Sequence, residues 1–544
     1  MKNLYLAILI SVVFVGASNA QHYNVTLERY TEQLIEREVY APNLEMHTAI
    51  KPYNFNEVKK VIDMDTAAGV SLPNKSFYSS WVGRKIFNES LLNLQKENYS
   101  VYVDPLFDFS YGQQSNGLPS LYTNSRGARI MGSLGRDFSF HTQFLETQAI
   151  FPEPIQSFAF QNAVAPGFGR VKPFGTNGYD YAWATGYISY RPSKFFNFQF
   201  GHDKHFWGDG YRSLFLSDNA FNFPFLKITT NFWRFQYTNL FTAFQNIGNA
   251  ANSGLGGYPK KYATFHHLSY NINKRINIGL FETVIWQNNN PDGSSRGFDV
   301  NYLNPIIFYR PVEFSLGSPD NVLIGFNFKA LPFKKTVLHG QLVLDEFFLK
   351  EVRAGNGWWA NKQAFQLGVK QFDFLGIKNL QLQAEYNYVR PYTYGHFTGA
   401  QSFTHFAQPL AHPLGANFTE ALVFVRYQWK RFATELRFSN AIFGSDTIRI
   451  VNNEPVLQNL GNNIFLPASE NLIPSIYNNG MYQGLKNNLN IIQFTFSYLI
   501  NIKTNMRFEL QVWNRVQENQ KFNIKSNWVN FSFKTSLPNK TWDF

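Results

Sequence analysis

From about residue 98 onward the chain alternates apolar and polar side chains with a period of two. Leu380, Leu382, Ala384, Tyr386 and Tyr388 are interleaved with Gln381, Gln383, Glu385 and Asn387. Met506, Phe508, Leu510 and Val512 alternate with Arg507, Glu509 and Gln511, and Val529, Phe531 and Phe533 alternate with Asn530, Ser532 and Lys534. Phe196, Phe198 and Phe200 repeat the pattern, as do Phe365, Leu367 and Val369. A two-residue period places the two sets on opposite faces of a strand. Clusters of Asn, Gly, Pro and Asp divide the chain into eighteen strand candidates, beginning near residues 100, 127, 136, 181, 194, 225, 232, 260, 275, 321, 335, 361, 377, 418, 430, 489, 504 and 525. Connections near 147–180, 203–224, 289–320, 391–417 and 441–488 exceed a tight turn and predict external loops or plugs folded inward.

Alternation alone fits a soluble sandwich as well as a membrane barrel, so other features decide. Lys2, the apolar run from Leu4 to Val15, and Ala17-Ser18-Asn19-Ala20 form an export signal with the mature chain starting at Gln21. No later stretch has the eighteen apolar residues of a membrane-spanning helix, so membrane residence requires a closed barrel. The polar faces carry charges (Lys370, Glu385, Arg437, Arg507, Glu509), as an enclosed wet interior would. The chain is expected to finish in a strand closing with Trp542-Asp543-Phe544, a terminal aromatic of the kind that barrel-insertion machinery reads. The predicted fold is all-β: a transmembrane antiparallel β-barrel of about eighteen strands in the outer membrane, an even number as bacterial barrels have. Its organisation is a signal at 1–20, an N-terminal helical periplasmic segment at 21–97, and the barrel with its long loops at 98–544. Helical spacing of Leu27, Tyr30, Leu34 and Ile35, repeated briefly by Val58, Val61 and Ile62, carries the middle assignment.

Composition narrows the class further. The chain has no cysteine, which excludes a lipid-modified N-terminus, disulfides and thiolate metal sites. Aromatic residues reach 18% and charged residues only 16%, below the usual quarter for soluble domains and suited to a lipid-facing band with aromatic girdles. The formal charge is +12. Residues 21–65 hold eight acidic and five basic side chains, so the excess belongs to the barrel. It implies attraction to anionic lipopolysaccharide or acidic polysaccharide, with no nucleic acid partner.

The densest polar and aromatic cluster runs from Lys204 through His205, Phe206, Trp207, Gly208, Asp209, Gly210, Tyr211 and Arg212 to Ser213, and continues through Asp218 and Asn219. Its ionic groups could satisfy one another as a lumen plug. Alternatively, its aromatic faces and carboxylates could stack on sugar rings and bind hydroxyls. A second loop motif contains His412 and Asn417. The chain here resembles the capsule-assembly Wzi family, in particular the gliding-motility RemB-like proteins. The resemblance spans nearly the whole mature chain. It is carried by His47-Thr48-Ala49-Ile50-Lys51-Pro52-Tyr53, by Phe206-Trp207-Gly208-Asp209-Gly210-Tyr211-Arg212-Ser213, by Asn304-Pro305 with Arg310-Pro311-Val312-Glu313, and by Ala411-His412-Pro413-Leu414-Gly415-Ala416-Asn417-Phe418. It implies an eighteen-stranded outer-membrane barrel with an N-terminal helical bundle and an occluded lumen, a lectin-like role in holding capsular or exopolysaccharide, and participation in gliding.

Enzyme and metal readings find little support. Gly293-Ser294-Ser295-Arg296-Gly297 fits G-x-S-x-G, but lies between loop residues where a nucleophile elbow needs a strand and a helix. His202, His205, Asp209, His405 and His412 show no recognised ligand spacing, so neither metal nor cofactor is expected. The readings carried forward are a polysaccharide-binding surface barrel, a diffusion or nutrient channel, and a structural partner of a secretion or gliding apparatus docking a periplasmic protein through 21–97. Outer-membrane lipid and, through Phe544, the barrel-assembly machinery complete the expected partners.

Overall fold

The computed structural model describes residues 23–42, 46–62, 79–115, 117–247, 257–290, 292–308, 317, 320–451 and 453–544. The export signal and the Arg310-Pro311-Val312-Glu313 motif lie outside them. Eighteen strands among the described residues form one closed antiparallel barrel. They are β1 Tyr99–Gln114, β2 Leu121–Leu134, β3 Phe138–Ile150, β4 Gly178–Tyr190, β5 Phe196–Asp203, β6 Phe223–Phe232, β7 Phe235–Gln245, β8 Lys260–Asn273 and β9 Ile276–Gln287. They continue as β10 Asn321–Phe333, β11 Thr336–Glu346, β12 Lys362–Phe372, β13 Leu380–Val389, β14 Phe418–Trp429, β15 Phe432–Ser445, β16 Leu485–Asn501, β17 Met506–Glu518 and β18 Asn523–Lys534. Each pairs with its sequence neighbour, and β18 closes on β1 from Trp528↔Gln114 to Lys534↔Asp108. Closure leaves no sheet edge, the condition for a sheet to cross lipid.

The alternation read from the sequence is the inward–outward alternation of the wall. On β13, Gln381, Gln383, Glu385 and Asn387 are buried in the interior, whereas Tyr386 faces out. On β18, Phe531 is 52% exposed while Trp528 and Ser532 are buried. Lys370, Arg437, Arg507 and Glu509 all point inward, as their place in the pattern predicted. The barrel's outer surface is therefore an apolar belt of Phe, Leu, Ile and Val.

Strand direction gives the barrel two unlike ends. Eight turns of two to seven residues close one, and nine connections, including all the long ones, lie at the other. Among the described residues five α-helices decorate the frame: α1 Arg29–Val39, α2 Phe55–Lys59, α3 Trp81–Phe87, α4 Glu153–Asn162 and α5 Leu349–Ala354. Charge divides between the ends unevenly. The eight short turns (135–137, 191–195, 233–234, 274–275, 334–335, 373–379, 430–431 and 502–505) hold twelve Lys or Arg against two Asp. The nine connections at the long-loop end hold eleven basic and eleven acidic residues. The basic excess, read from the sequence as an attraction to surface polymer, is thus concentrated at the end opposite the long loops.

Two sequence expectations change. The closing strand stops at Lys534, and residues 535–544 turn into the lumen instead of extending the sheet to Phe544. Pro538 lacks the amide hydrogen a strand needs, and interior cations draw Asp543 inward. The first described stretch of the expected periplasmic segment, 23–42 with 46–62, does not stand in front of the barrel. It enters the short-turn end, where α1 packs Tyr30 against Leu499 of β16 and ion-pairs Glu36 with Lys370 of β12.

The lipid-facing assignment of Phe531 is testable by substitution. Phe531→Arg should cost about 2–4 kcal/mol of unfolding free energy in phospholipid vesicles. Urea titration followed by heat-shifted gel mobility would show it, and an unchanged midpoint would contradict the assignment.

Candidate functional site

The lumen is crossed by three segments distant in sequence. The first is 204–222, between β5 and β6. Its Phe206–Trp207 pairs antiparallel with Ile50–Lys51, in register Ile50↔Trp207 and Lys51↔Phe206, and the Gly208 amide donates to the Ala49 carbonyl at 2.7 Å. Two motifs read separately in the sequence thus form one two-stranded sheet inside the barrel. The Trp207 amide donates to Leu216 at 2.7 Å, closing the loop on itself, and its indole meets Phe265, Phe281 and His267 edge-on at centroid distances of 5.7, 5.9 and 5.9 Å. Trp207 is completely buried. Asp209 accepts from Thr48 Oγ1 at 2.5 Å and Tyr40 Oη at 2.8 Å. Burial pushes its carboxyl up, but nearby Lys329 and these two donors outweigh that and hold it below its ordinary value.

The second crossing, residues 535–544, meets the first in an ionic cluster around Asp543. Arg212 donates Nε and Nη2 to the two oxygens of Glu420 on β14, at 3.1 and 2.7 Å, a bidentate geometry. The same guanidinium reaches Asp543, with Nη1 donating to Oδ1 at 3.3 Å and Nη2 to the backbone carbonyl at 2.8 Å. Arg437 on β15 donates to the other Asp543 oxygen at 2.8 Å and to Tyr211 Oη at 2.7 Å. Tyr211 Oη in turn donates to Asp543 Oδ2 at 2.7 Å. Arg29 at the start of α1 lies 3.6 Å above the Tyr211 ring and donates to the Tyr211 carbonyl at 3.1 Å. Burial alone would raise the Asp543 carboxyl, but Arg212 and Arg437 dominate and hold it well below the usual carboxylate range. Glu385 on β13 receives the Tyr211 and Arg212 backbone amides at 2.7 and 3.1 Å. Gly210 permits that approach, since a Cβ there would lie 2.5 Å from a Glu385 oxygen.

The third crossing is the 390–417 connection. His412 Nδ1 accepts from the Leu414 amide at 3.2 Å, which places its proton on Nε2 to donate to Glu420 at 2.7 Å. Burial lowers the pKa of this imidazole, outweighing the opposite pull of Glu420. Asn417, at φ 60°, donates to the carbonyls of Gly444 and Gln483 and accepts from the Tyr482 amide at 2.7 Å, tying the 390–417 and 446–484 connections to the end of β15. Asp218 accepts from Asn539 Nδ2 at 2.7 Å, and Asn219 donates to the Pro409 carbonyl at 3.0 Å. His205 packs edge-on to Phe225 at 4.5 Å.

Every candidate residue named from the sequence is therefore inside the barrel and buried: His205, Trp207, Asp209, Tyr211, Arg212, Asp218 and Asn219 in one crossing, His412 and Asn417 in another. Their partners were not foreseen. Glu385 and Arg437 were recognised as interior charges without their contacts, while Glu420, Arg29 and Asp543 were not singled out. Pro538, four residues beyond Lys534, is the signal that would have separated residues 535–544 from the wall. Among the described residues no group of three or more His, Asp or Glu is arranged to hold a metal ion. A polar cavity of about 180 Å³ remains between α1, residues 537–542 and strands β15–β18.

Two outcomes follow from these ion pairs. Arg212→Ala leaves Glu420 and Asp543 buried without their main counter-charge and should cost about 3–5 kcal/mol, whereas Arg212→Gln combined with Glu420→Gln should cost markedly less. Chemical denaturation of the two variants would reveal the contrast, and equal losses would refute it. The second outcome concerns Glu36, whose carboxyl burial raises but Lys370, Arg426 and Lys51 bring down to about 2, from 4.5 unperturbed. A depressed folded-state pKa gives stability that is present above 4.5 and lost as pH falls towards about 2. Protease sensitivity of residues 23–42 should rise in that window, and Glu36→Gln should flatten the pH dependence. An identical acid profile in wild type and variant would refute this role.

No family model matches the chain, and no curated protein matches it. Solved structures do. The Escherichia coli outer-membrane protein Wzi, described as a carbohydrate-binding β-barrel involved in group 1 capsule assembly, is similar over 95% of this chain and 100% of its own, with 13% identity and a TM-score of 0.55. The Pseudomonas aeruginosa barrels OpdK (8% identity, 80% of this chain and 98% of that one, TM-score 0.44) and OprD (10% identity, 80% and 96%, TM-score 0.41) are more distant. The likeness to Wzi shows the fold: the chain has a Wzi-like eighteen-stranded barrel.

Proposed function

We propose that this chain is an exported, non-enzymatic outer-membrane barrel that holds capsular or exopolysaccharide at the cell surface through its long-loop end. The observation that carries the reading is the filled lumen. Residues 204–222, the 390–417 connection, α1 and residues 535–544 interlock across the interior through buried ion pairs and hydrogen bonds. Such an interior offers a poor route for diffusion, and a plug is the better role for Trp207, Arg212 and His412 than direct sugar contact. The end-to-end similarity of fold to a carbohydrate-binding barrel supports a surface role. The long-loop end supplies a cap suited to it. Connections 347–361 and 446–484 are joined there by the Trp359 amide donating to Ile476 at 2.9 Å and the Asn479 amide donating to Gly357 at 2.9 Å. This cap exposes Phe348, Leu472 and Tyr477, apolar and aromatic faces of the kind that stack on sugar rings. The motif resemblance to gliding-motility proteins extends the reading to adhesion on surfaces.

Purified protein in planar bilayers should show no steady large conductance and should retain polysaccharide from the producing strain in a pull-down. Steady conductance together with absent retention would replace this reading with that of a channel.

A further inference from the structure

We propose that the short-turn rim of the barrel, together with α3, is a binding surface for the anionic phospholipid headgroups of the leaflet it faces. The inference rests on the membrane-barrel reading above and adds a ligand class at the end remote from the loops. Twelve basic residues against two acidic ones ring this rim, whereas charge at the other end is balanced. Lys274, Arg275, Lys334 and Lys378 are exposed, and among the described residues no carboxylate forms an ion pair with them. Exposed cations such as these four repel one another on a folded barrel unless a counter-charge is supplied.

The neighbouring aromatics indicate where that counter-charge lies. Trp233, Trp429 and Phe195 are exposed at the strand ends, and a basic residue stacks on each: Arg234 at 5.5 Å, Lys430 at 5.3 Å and Lys194 at 5.1 Å from the ring centroids. An aromatic belt marks headgroup depth in barrels of this kind, and basic chains beside it put their charge among the phosphates. The outward apolar face continues past the wall. Strand Leu92–Gln95 pairs with β1 in register Leu92↔Val103 and Leu94↔Val101, presenting Leu92 and Leu94 outward. Just before it, α3 buries Gly83 and exposes Trp81, Val82 and Ile86, while Asn501 at the end of β16 holds the helix by donating to the carbonyls of Lys85 and Glu89. Such a face, joined to the lipid belt and flanked by basic residues, lies in a membrane interface. A polybasic ring selects net-negative headgroups over zwitterionic ones, and salt screens the preference.

The test uses the full chain in phosphatidylcholine vesicles, with nitroxide-labelled phosphatidylglycerol or phosphatidylcholine as probe and the immobilised fraction read by electron paramagnetic resonance. Labelled phosphatidylglycerol should associate several-fold more strongly at low salt, and the preference should fall as salt rises. It should shrink towards unity in the K274Q/R275Q/K334Q/K378Q variant, whose folding heat-shifted gel mobility verifies. Equal association of the two lipids, or a preference unmoved by salt, would overturn the proposal with the native chain alone. The absence of cysteine allows a second readout with Val82→Cys, Phe531→Cys and Lys60→Cys, each nitroxide-labelled. Position 82 should collide with oxygen in preference to a nickel chelate, as the wall position 531 does. If 82 behaves like the water-facing position 60, α3 is not in the interface. If 531 also does, the membrane reading itself fails.

Discussion

A charge withdrawn from water must be met by other polar groups, and this constraint organises the interior of the barrel. Arg212 is the clearest case. Its guanidinium is shared between a wall carboxylate, Glu420, and Asp543, which arrives from beyond the closing strand. Arg437 and Tyr211 complete the satisfaction of Asp543, and Arg29 brings α1 to the same place. Four otherwise independent parts of the chain, the wall, the 204–222 crossing, α1 and residues 535–544, are thereby fixed relative to one another. Replacing such a cluster by apolar residues can leave stability unchanged, so its value lies in specifying one arrangement of the interior.

The wall was legible because its signal is local. A residue's face on a strand follows from parity, and an apolar outer face with a polar inner one is the inverse of a soluble core, so all eighteen candidate starts fall within six residues of the observed strands. The interior was only half legible. The dense cluster around Trp207 and Arg212 announced itself by composition, but its partners are set by pairings up to several hundred residues away, such as Arg212 with Asp543, which no window of sequence contains. The placement of His47 to Tyr53 beside Phe206 and Trp207 was hidden for the same reason: a two-residue strand inside a lumen has no periodicity to detect. Residues 535–544 were misread because aromatic residues after an alternating stretch look like more strand. Pro538 and the wish of Asp543 for a cation proved the stronger determinants.

Net charge shows how an average can mislead. A total of +12 invites a single explanation in terms of an acidic surface polymer. Once the turns are placed, the excess resolves into a basic rim at one end and balanced loops at the other. On the proposed readings, the loops would recognise sugar by shape, stacking and hydrogen bonding, and the rim would address a separate, phosphate-bearing surface.

The path of residues 535–544 also sets an order of events in assembly. They lie after β18 in the chain, yet their contacts sit deep in the interior, Lys540 on Asp108 of β1 and Trp542 against Phe151 near the far end. Asp108 is the residue opposite Lys534 in the seam where the sheet closes. The cylinder must therefore join its first and last staves before this segment finds a complete socket. An interior lock that only a finished wall can receive makes the plugged state a report that closure has succeeded.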